Sequence, residues 1–120
     1  MYSEQVLEHF QNPRNVGELA QADAVVELEN PACGDILLLA ARVERNRIAE
    51  VRFRARGCVA AIACGSAVTE LLTGRSLKEA GQITREQLLA SVGSLPNESM
   101  HASHLAIDAA KALLKKLGSR

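Results

Sequence analysis

The rhythm of apolar and polar positions along this chain runs from helical to alternating and back to helical. Val6, Leu7 and Phe10 share one side of a segment from Ser3 to Gln11, the spacing of a short helix. Asn12-Pro13 ends it, because the residue before proline avoids helical angles. The stretch "NPRNVG" that follows reads as a loop. Ala24 to Glu29, Ile36 to Val43 and Ile48 to Arg56 are strand-like, and the polar link Glu44 to Arg47 suits a hairpin between the last two. In the third strand Val51, Phe53 and Ala55 alternate with Arg52, Arg54 and Arg56, so one face belongs to a core and the other to water. The arginine row is read as a solvated sheet face, with a docking patch for an acidic partner as the alternative.

After Gly57-Cys58 the period becomes helical again, with Ala60, Cys64, Val68, Leu71 and Leu72 forming a stripe that stops at Gly74. Ser76 with Glu79, and Thr84 with Gln87, are capping boxes that each open a short helix by satisfying orphaned backbone donors. The last helix is expected from about Ser99 to Leu117, with Ile107, Ala110, Leu114 and Leu117 inward, Lys111 and Lys115 outward, and Gly118 as its stop. Strands first and helices after predict an α+β fold: a small three-stranded antiparallel sheet packed by an N-terminal helix and several C-terminal helices. Residues 1–120 are read as one domain, without repeats or linkers.

Composition narrows the function. Fourteen Lys plus Arg balance fourteen Asp plus Glu, so the chain carries no overall bias toward nucleic acid or a membrane. Tyr2, Phe10 and Phe53 are its only aromatics, which leaves little on which unpaired bases could stack. Three cysteines with no leader sequence point away from a disulfide framework and toward a reducing cytoplasm. The longest apolar run, Ile36 to Ala41, is far short of the roughly 20 residues of a membrane span. Neither nucleic acid nor a membrane is expected as a partner.

The stretch "NPACGDILLL" sets Cys33 and Asp35 in a loop before a strand, with Gly34 allowing a tight turn around an ion. Cys58 ends the paired strand, so an antiparallel hairpin should bring Cys33, Asp35 and Cys58 to one end of the sheet. Cys58 also opens a helix, where free amides and the helix dipole are expected to lower a thiol's pKa. A fourth donor must be a histidine. His9 reads as a surface or half-buried residue, whereas His101 and His104 lie on roughly one face in the first turn of the last helix, and spacing does not choose between them. Cys64 falls in the apolar stripe and reads as a core thiol, unless a later or bent helix start turns it toward the site as a third sulfur ligand.

The segments "MYSEQVLEHFQNPRNVG", "NPACGDILLL", "RARGCVAAIACGSAVTELLTGRSLKEA" and "MHASHLAIDAAKALL" together resemble the IscU/NifU-N family of iron-sulfur cluster assembly scaffolds. The likeness covers nearly the whole chain in order and is closer to the IscU branch than to the SufU branch. It implies the same small antiparallel sheet packed by helices. By position it implies Cys33, Asp35, Cys58 and His101 as the assembly site, with Cys58 and Cys33 as sulfur acceptors. Where the family carries a third cysteine, a sulfur acceptor and potential cluster ligand, this chain has Ala102. The family's Leu-Pro-Pro-Val-Lys chaperone-recognition segment appears only as "LPNES", Leu95 to Ser99, so handoff through an Hsp70-type chaperone is not carried over.

Soft thiolates suit iron bridged by sulfide, and a 2Fe-2S cluster requires four protein ligands. The expected function is therefore a non-catalytic scaffold. It would take iron, and sulfur from a cysteine desulfurase, hold them as a transient 2Fe-2S cluster or iron, and pass them to apo iron-sulfur recipient proteins. The alternative is a divergent paralogue that binds zinc or iron and engages the assembly machinery without building clusters, since the same donors suit tetrahedral zinc. A thiol enzyme with Cys58 as nucleophile and His101 as base is the weakest reading, because no orienting third group is evident.

Overall fold

The computed structural model describes residues 1–119. Helix α1 (Glu4–Gln11) is followed by strands β1 (Ala24–Glu29), β2 (Ile36–Glu44) and β3 (Arg47–Arg56). Helices α2 (Val59–Leu72), α3 (Leu77–Ala80), α4 (Arg85–Ser91) and α5 (Met100–Gly118) complete the order, with a 3-10 turn at Asn97–Ser99 leading into α5. The strands form one antiparallel sheet in the order β1-β2-β3. The expected α+β architecture is thus present, a three-stranded sheet with one helix before it and the others after.

The β2–β3 hairpin closes more tightly than the polar link suggested. Only Arg45 and Asn46 lie between the strands, at φ 52° and 65°. Two successive residues with positive φ make the turn whose twist matches that of the flanking strands. Leu39 then pairs with Phe53 and Ala41 with Val51, and all four are buried on the inner face. On the outer face the arginine row stands across from Ile36, Leu38 and Ala40. Two of its charges are matched locally: Glu50 accepts from Arg52, as it does from Arg42, and Arg54 lies 3.1 Å from Glu18.

The N-terminal loop is more than a connector. Gly17 donates its N–H to the Phe53 carbonyl, and the Phe53 N–H donates to the Asn15 carbonyl, so Val16 bridges the free edge of β3 in parallel. Further along that edge, Ile48 exchanges backbone hydrogen bonds with Gly74 and Arg75. Both contacts satisfy an edge that would otherwise be open to pairing with another chain.

Helix α2 departs from the single apolar stripe expected of it. Ten of its fourteen residues are buried, because β3, α1 and α5 all pack against it. Its small side chains, Ala60, Ala61, Ala63, Gly65, Ser66 and Ala67, are what allow neighbours to approach from several sides. Ser66 is fully buried and links three segments. Its hydroxyl lies 2.7 Å from His9 Nδ1 and accepts the Arg14 N–H, while its carbonyl accepts from Thr69 Oγ1. His9, read from sequence as a surface or half-buried residue, is therefore buried, 7% exposed, between α1 and α2. The capping boxes at Ser76/Glu79 and Thr84/Gln87 are both formed. Helix α5 runs through Gly118 instead of stopping before it, and Ser119 is its cap.

Two tests address this packing. A Cβ on Gly65 would lie 2.7 and 2.8 Å from the ring of Phe53 and 3.2 Å from Leu37. The gain of roughly 1 kcal/mol from helix propensity is smaller than the typical overpacking cost of about 1–3 kcal/mol. Gly65→Ala is expected to lower stability by about 1–2 kcal/mol in urea unfolding; a raised midpoint would contradict the tight α2–sheet contact. His9 is held below its ordinary value of 6.5, first by burial and then by the Arg14 charge, against the pull of Glu70 and Glu8. The unfolded chain therefore takes up a proton at this residue before the folded chain does. Stability from a neutral His9 is full above the unfolded value and declines as pH falls through it. The unfolding midpoint should drop between about pH 7.5 and 5.5, and His9→Gln should flatten that slope.

Candidate functional site

The loop from Asn30 to Asp35 joins β1 to β2, closing directly above the terminal pair Glu29–Ile36. Asn30 organises it: its N–H donates to the Asp35 carbonyl, its carbonyl accepts from Gly34 and Cys33, and its side chain accepts from the Ala32 N–H. Gly34 takes φ 77°, a conformation open to glycine at little cost. This tight loop leaves Cys33 exposed at its tip and tucks Asp35 in at its base, 4% exposed.

Across the hairpin, Ile36 pairs with Arg56, so the chain leaves β3 beside Asp35. Gly57 makes the bend and Cys58 becomes the N-cap residue of α2. The first turn of α5 supplies His101 from the opposite side. His101 Nε2 lies 3.1 Å from Asp35 Oδ2, and the Cys58 thiol donates to the same oxygen at 3.5 Å. The other carboxylate oxygen accepts the Cys58 N–H at 3.4 Å. One ligand atom each of Cys33, Asp35 and His101 lies within 4.8 Å of the others, the one such group of metal-capable side chains among the described residues. Cys58 adjoins this group through Asp35. Three donors from the β1–β2 loop and α5 thus gather at one end of the sheet, and the β3–α2 bend sets the Cys58 thiol against one of them, Asp35.

The electrostatics of Cys58 reverse the expectation drawn from its place at a helix start. The amides of Ala61 and Ala60 do favour the thiolate. Burial outweighs them, and the Asp35 carboxylate adds to it by charge and by accepting the thiol proton, so the pKa of Cys58 is raised. The helix terminus is present, but burial of the sulfur, reinforced by the acid beside it, decides the sign.

The family model described as the NifU-like N terminal domain matches residues 1–120. The chain belongs to this family. Among its curated relatives is the iron-sulfur cluster assembly scaffold protein IscU 1 of Archaeoglobus fulgidus, 47% identical over 91% of this chain and 71% of that protein. The scaffold protein IscU of Haemophilus influenzae is 44% identical over 94% of this chain and 92% of its own length. In fold, the crystal structure of the N-terminal part of a nitrogen-fixing NifU-like protein from Brucella abortus superposes with a TM-score of 0.76, covering 98% of this chain and 94% of that one at 17% identity.

Within this NifU-like domain, the other candidate donors lie outside the metal-capable group. Cys64 is fully buried in the core cluster, and burial pushes its thiol up to about 12. The alternative in which it turns toward the site as a third sulfur ligand does not match this placement: α2 starts at Val59, directly after Cys58, and its inner stripe carries Cys64 into the core. His104 is exposed and outside the Cys33–Asp35–His101 group, lining with Asp108 two shallow grooves, one of which also borders His101 and Asn30. The choice between the two histidines, open on spacing, falls to His101 because it faces Asp35. Ala102 is 1% exposed within the core cluster. The residue that sequence reasoning passed over is Gly57, whose missing side chain leaves room for the Asp35 carboxylate. No membrane-crossing helix, long and apolar enough, is found among the described residues.

Alkylation at neutral pH should separate the thiols. Cys33 is expected to react first, Cys58 more slowly, and Cys64 only after unfolding, as read by peptide mass mapping. Asp35→Asn removes the charge that disfavours the thiolate and should speed the reaction of Cys58. Equal rates at Cys58 in the two proteins would show that Asp35 does not govern its proton.

Proposed function

We propose that this domain is a scaffold on which an iron-sulfur cluster is assembled at Cys33, Asp35, Cys58 and His101 and then passed on. The observation that carries the reading is the gathering of ligand atoms of Cys33, Asp35 and His101 within 4.8 Å of one another, with the Cys58 thiol adjoining them through Asp35 Oδ2. Two soft sulfur donors match iron bridged by sulfide, and four ligands suffice for a 2Fe-2S cluster. The oxygen and nitrogen donors bind iron less firmly than thiolate does, which suits cargo that has to leave. Family membership and the scaffold names of the curated relatives support the same role.

Sulfur would arrive from a cysteine desulfurase. A thiolate of Cys33 or Cys58 attacks the outer sulfur of the donor's persulfide, a new S–S bond forms, the old one breaks, and the donor leaves as a thiolate. Cys33, exposed at its loop tip, is the more accessible of the two. Recipients are apo-proteins that need a cluster. The domain itself catalyses no turnover in this reading. Its three cysteines, all free, suit a reducing compartment such as the cytoplasm.

Anaerobic reconstitution with ferrous iron, cysteine, a desulfurase and a thiol reductant to convert persulfide sulfur to sulfide, followed by visible absorption and metal analysis, tests the proposal. The wild-type chain should gain sulfide-to-iron charge-transfer absorption and lose it on Cys33→Ser or Cys58→Ser. Cys64→Ser should keep the cluster and cost stability, about 1–3 kcal/mol for a hydroxyl in apolar surroundings. A colourless protein holding one tetrahedral zinc ion would overturn cluster assembly in favour of a zinc-binding paralogue.

A further inference from the structure

Several glycines of this chain adopt positive φ, but they do not do the same work. A Cβ built on Gly17, Gly34 or Gly74 would meet nothing within 4 Å, so there only the backbone conformation calls for glycine. Gly57 has φ 150°, and the space its side chain would fill is taken. A Cβ there would lie 2.6 Å from Cγ of Asp35, 3.1 Å from its Cβ, and closer than either to Oδ1. All three nearest atoms belong to Asp35.

We propose that Gly57 is a positioning residue for the assembly site, its absent side chain being the seat in which the Asp35 carboxylate lies. Held there, Asp35 presents Oδ2 to Cys58 Sγ at 3.5 Å and to His101 Nε2 at 3.1 Å, while Oδ1 faces the Cys58 N–H. The carboxylate cannot simply retreat: Asp35 is 4% exposed and its backbone is fixed by the Asn30 N–H at the base of the loop. A side chain at position 57 would drive the carboxylate out of register with the thiol and imidazole that share its oxygen. The inference rests on the proposed metal site and adds a residue that touches no cargo itself.

Two effects of a Gly57→Ala change have to be separated. Backbone strain at φ 150° falls on any L-residue whatever stands at position 35, whereas the collision exists only while Asp35 has its carboxylate. A double-mutant cycle with Asp35→Ala isolates the second effect, since it leaves only the Cβ contact of 3.1 Å. The four proteins would be compared by thermal unfolding without metal and by Co²⁺ titration followed through thiolate-to-cobalt absorption.

Gly57→Ala should lower the melting temperature more in the wild-type background than in the Asp35→Ala background. It should weaken Co²⁺ binding about tenfold or more when Asp35 is present, as expected for loss of a residue that orients a ligand, and less than about twofold when it is absent. A Gly57→Ala chain that folds only in the Asp35→Ala background also supports the seat. Equal effects in both backgrounds, or failure to fold in both, would overturn it, because strain alone would then account for the glycine. A wild-type chain that binds no Co²⁺ would instead remove the metal-site reading, while the melting comparison still decides whether Gly57 seats Asp35.

Discussion

The pairing of Ile36 with Arg56 fixes where the site can be. It is the last rung of the β2–β3 ladder, and it sets Asp35, one residue before β2, against Gly57 and Cys58 just past β3. A slip of one residue would turn every side chain of β2 to the opposite face, carrying Leu37 and Leu39 out of the core together with Asp35 out of the site. The same inward set that buries Leu37, Leu39, Val51 and Phe53 therefore holds the site's register. Core and candidate site are enforced by one pattern.

At the end of that ladder a nearly buried carboxylate is tolerated because its oxygens have partners. Asp35 accepts from a backbone amide, a thiol and an imidazole, which offsets part of the cost of removing it from water. The arrangement raises the pKa of Cys58: burial first, and then charge and hydrogen bond from Asp35, oppose the helix amides that favour the thiolate. A cation placed between these groups would invert that balance, since metal ligation requires the thiolate and displaces the proton. The acid that restrains the thiol without cargo is thus also a donor to the cargo in the proposed scaffold.

Support for the site comes from α2, which carries Cys58 at its start and is buried almost all round. Its run of alanine, glycine and serine lets the sheet, α1 and α5 pack close, with Gly65 under the Phe53 ring and Ser66 joined to His9 and Arg14. The buried His9–Ser66 contact fastens α1 and the following loop to the same helix. That loop in turn pairs with β3 at Phe53. Helix, loop and edge strand form a closed frame around the helix that presents Cys58.

The sequence by itself determined the element types and most of their ends, because alternating and helical periods and two capping boxes act locally. It also placed Cys33, Asp35 and Cys58 at one end of the sheet, since an antiparallel hairpin leaves little freedom there. Spacing left His101 and His104 undecided, since they share a helix turn; the family resemblance pointed to His101, and the tertiary structure supplied the physical reason, Asp35 standing opposite it. Tertiary structure alone turned the pKa of Cys58 upward, because desolvation and a carboxylate brought from another segment are invisible in a local pattern. It buried His9 through contacts with a residue 57 positions away. And it gave Gly57 its meaning, for a missing side chain says nothing about the atom that fills its place until the fold brings that atom there.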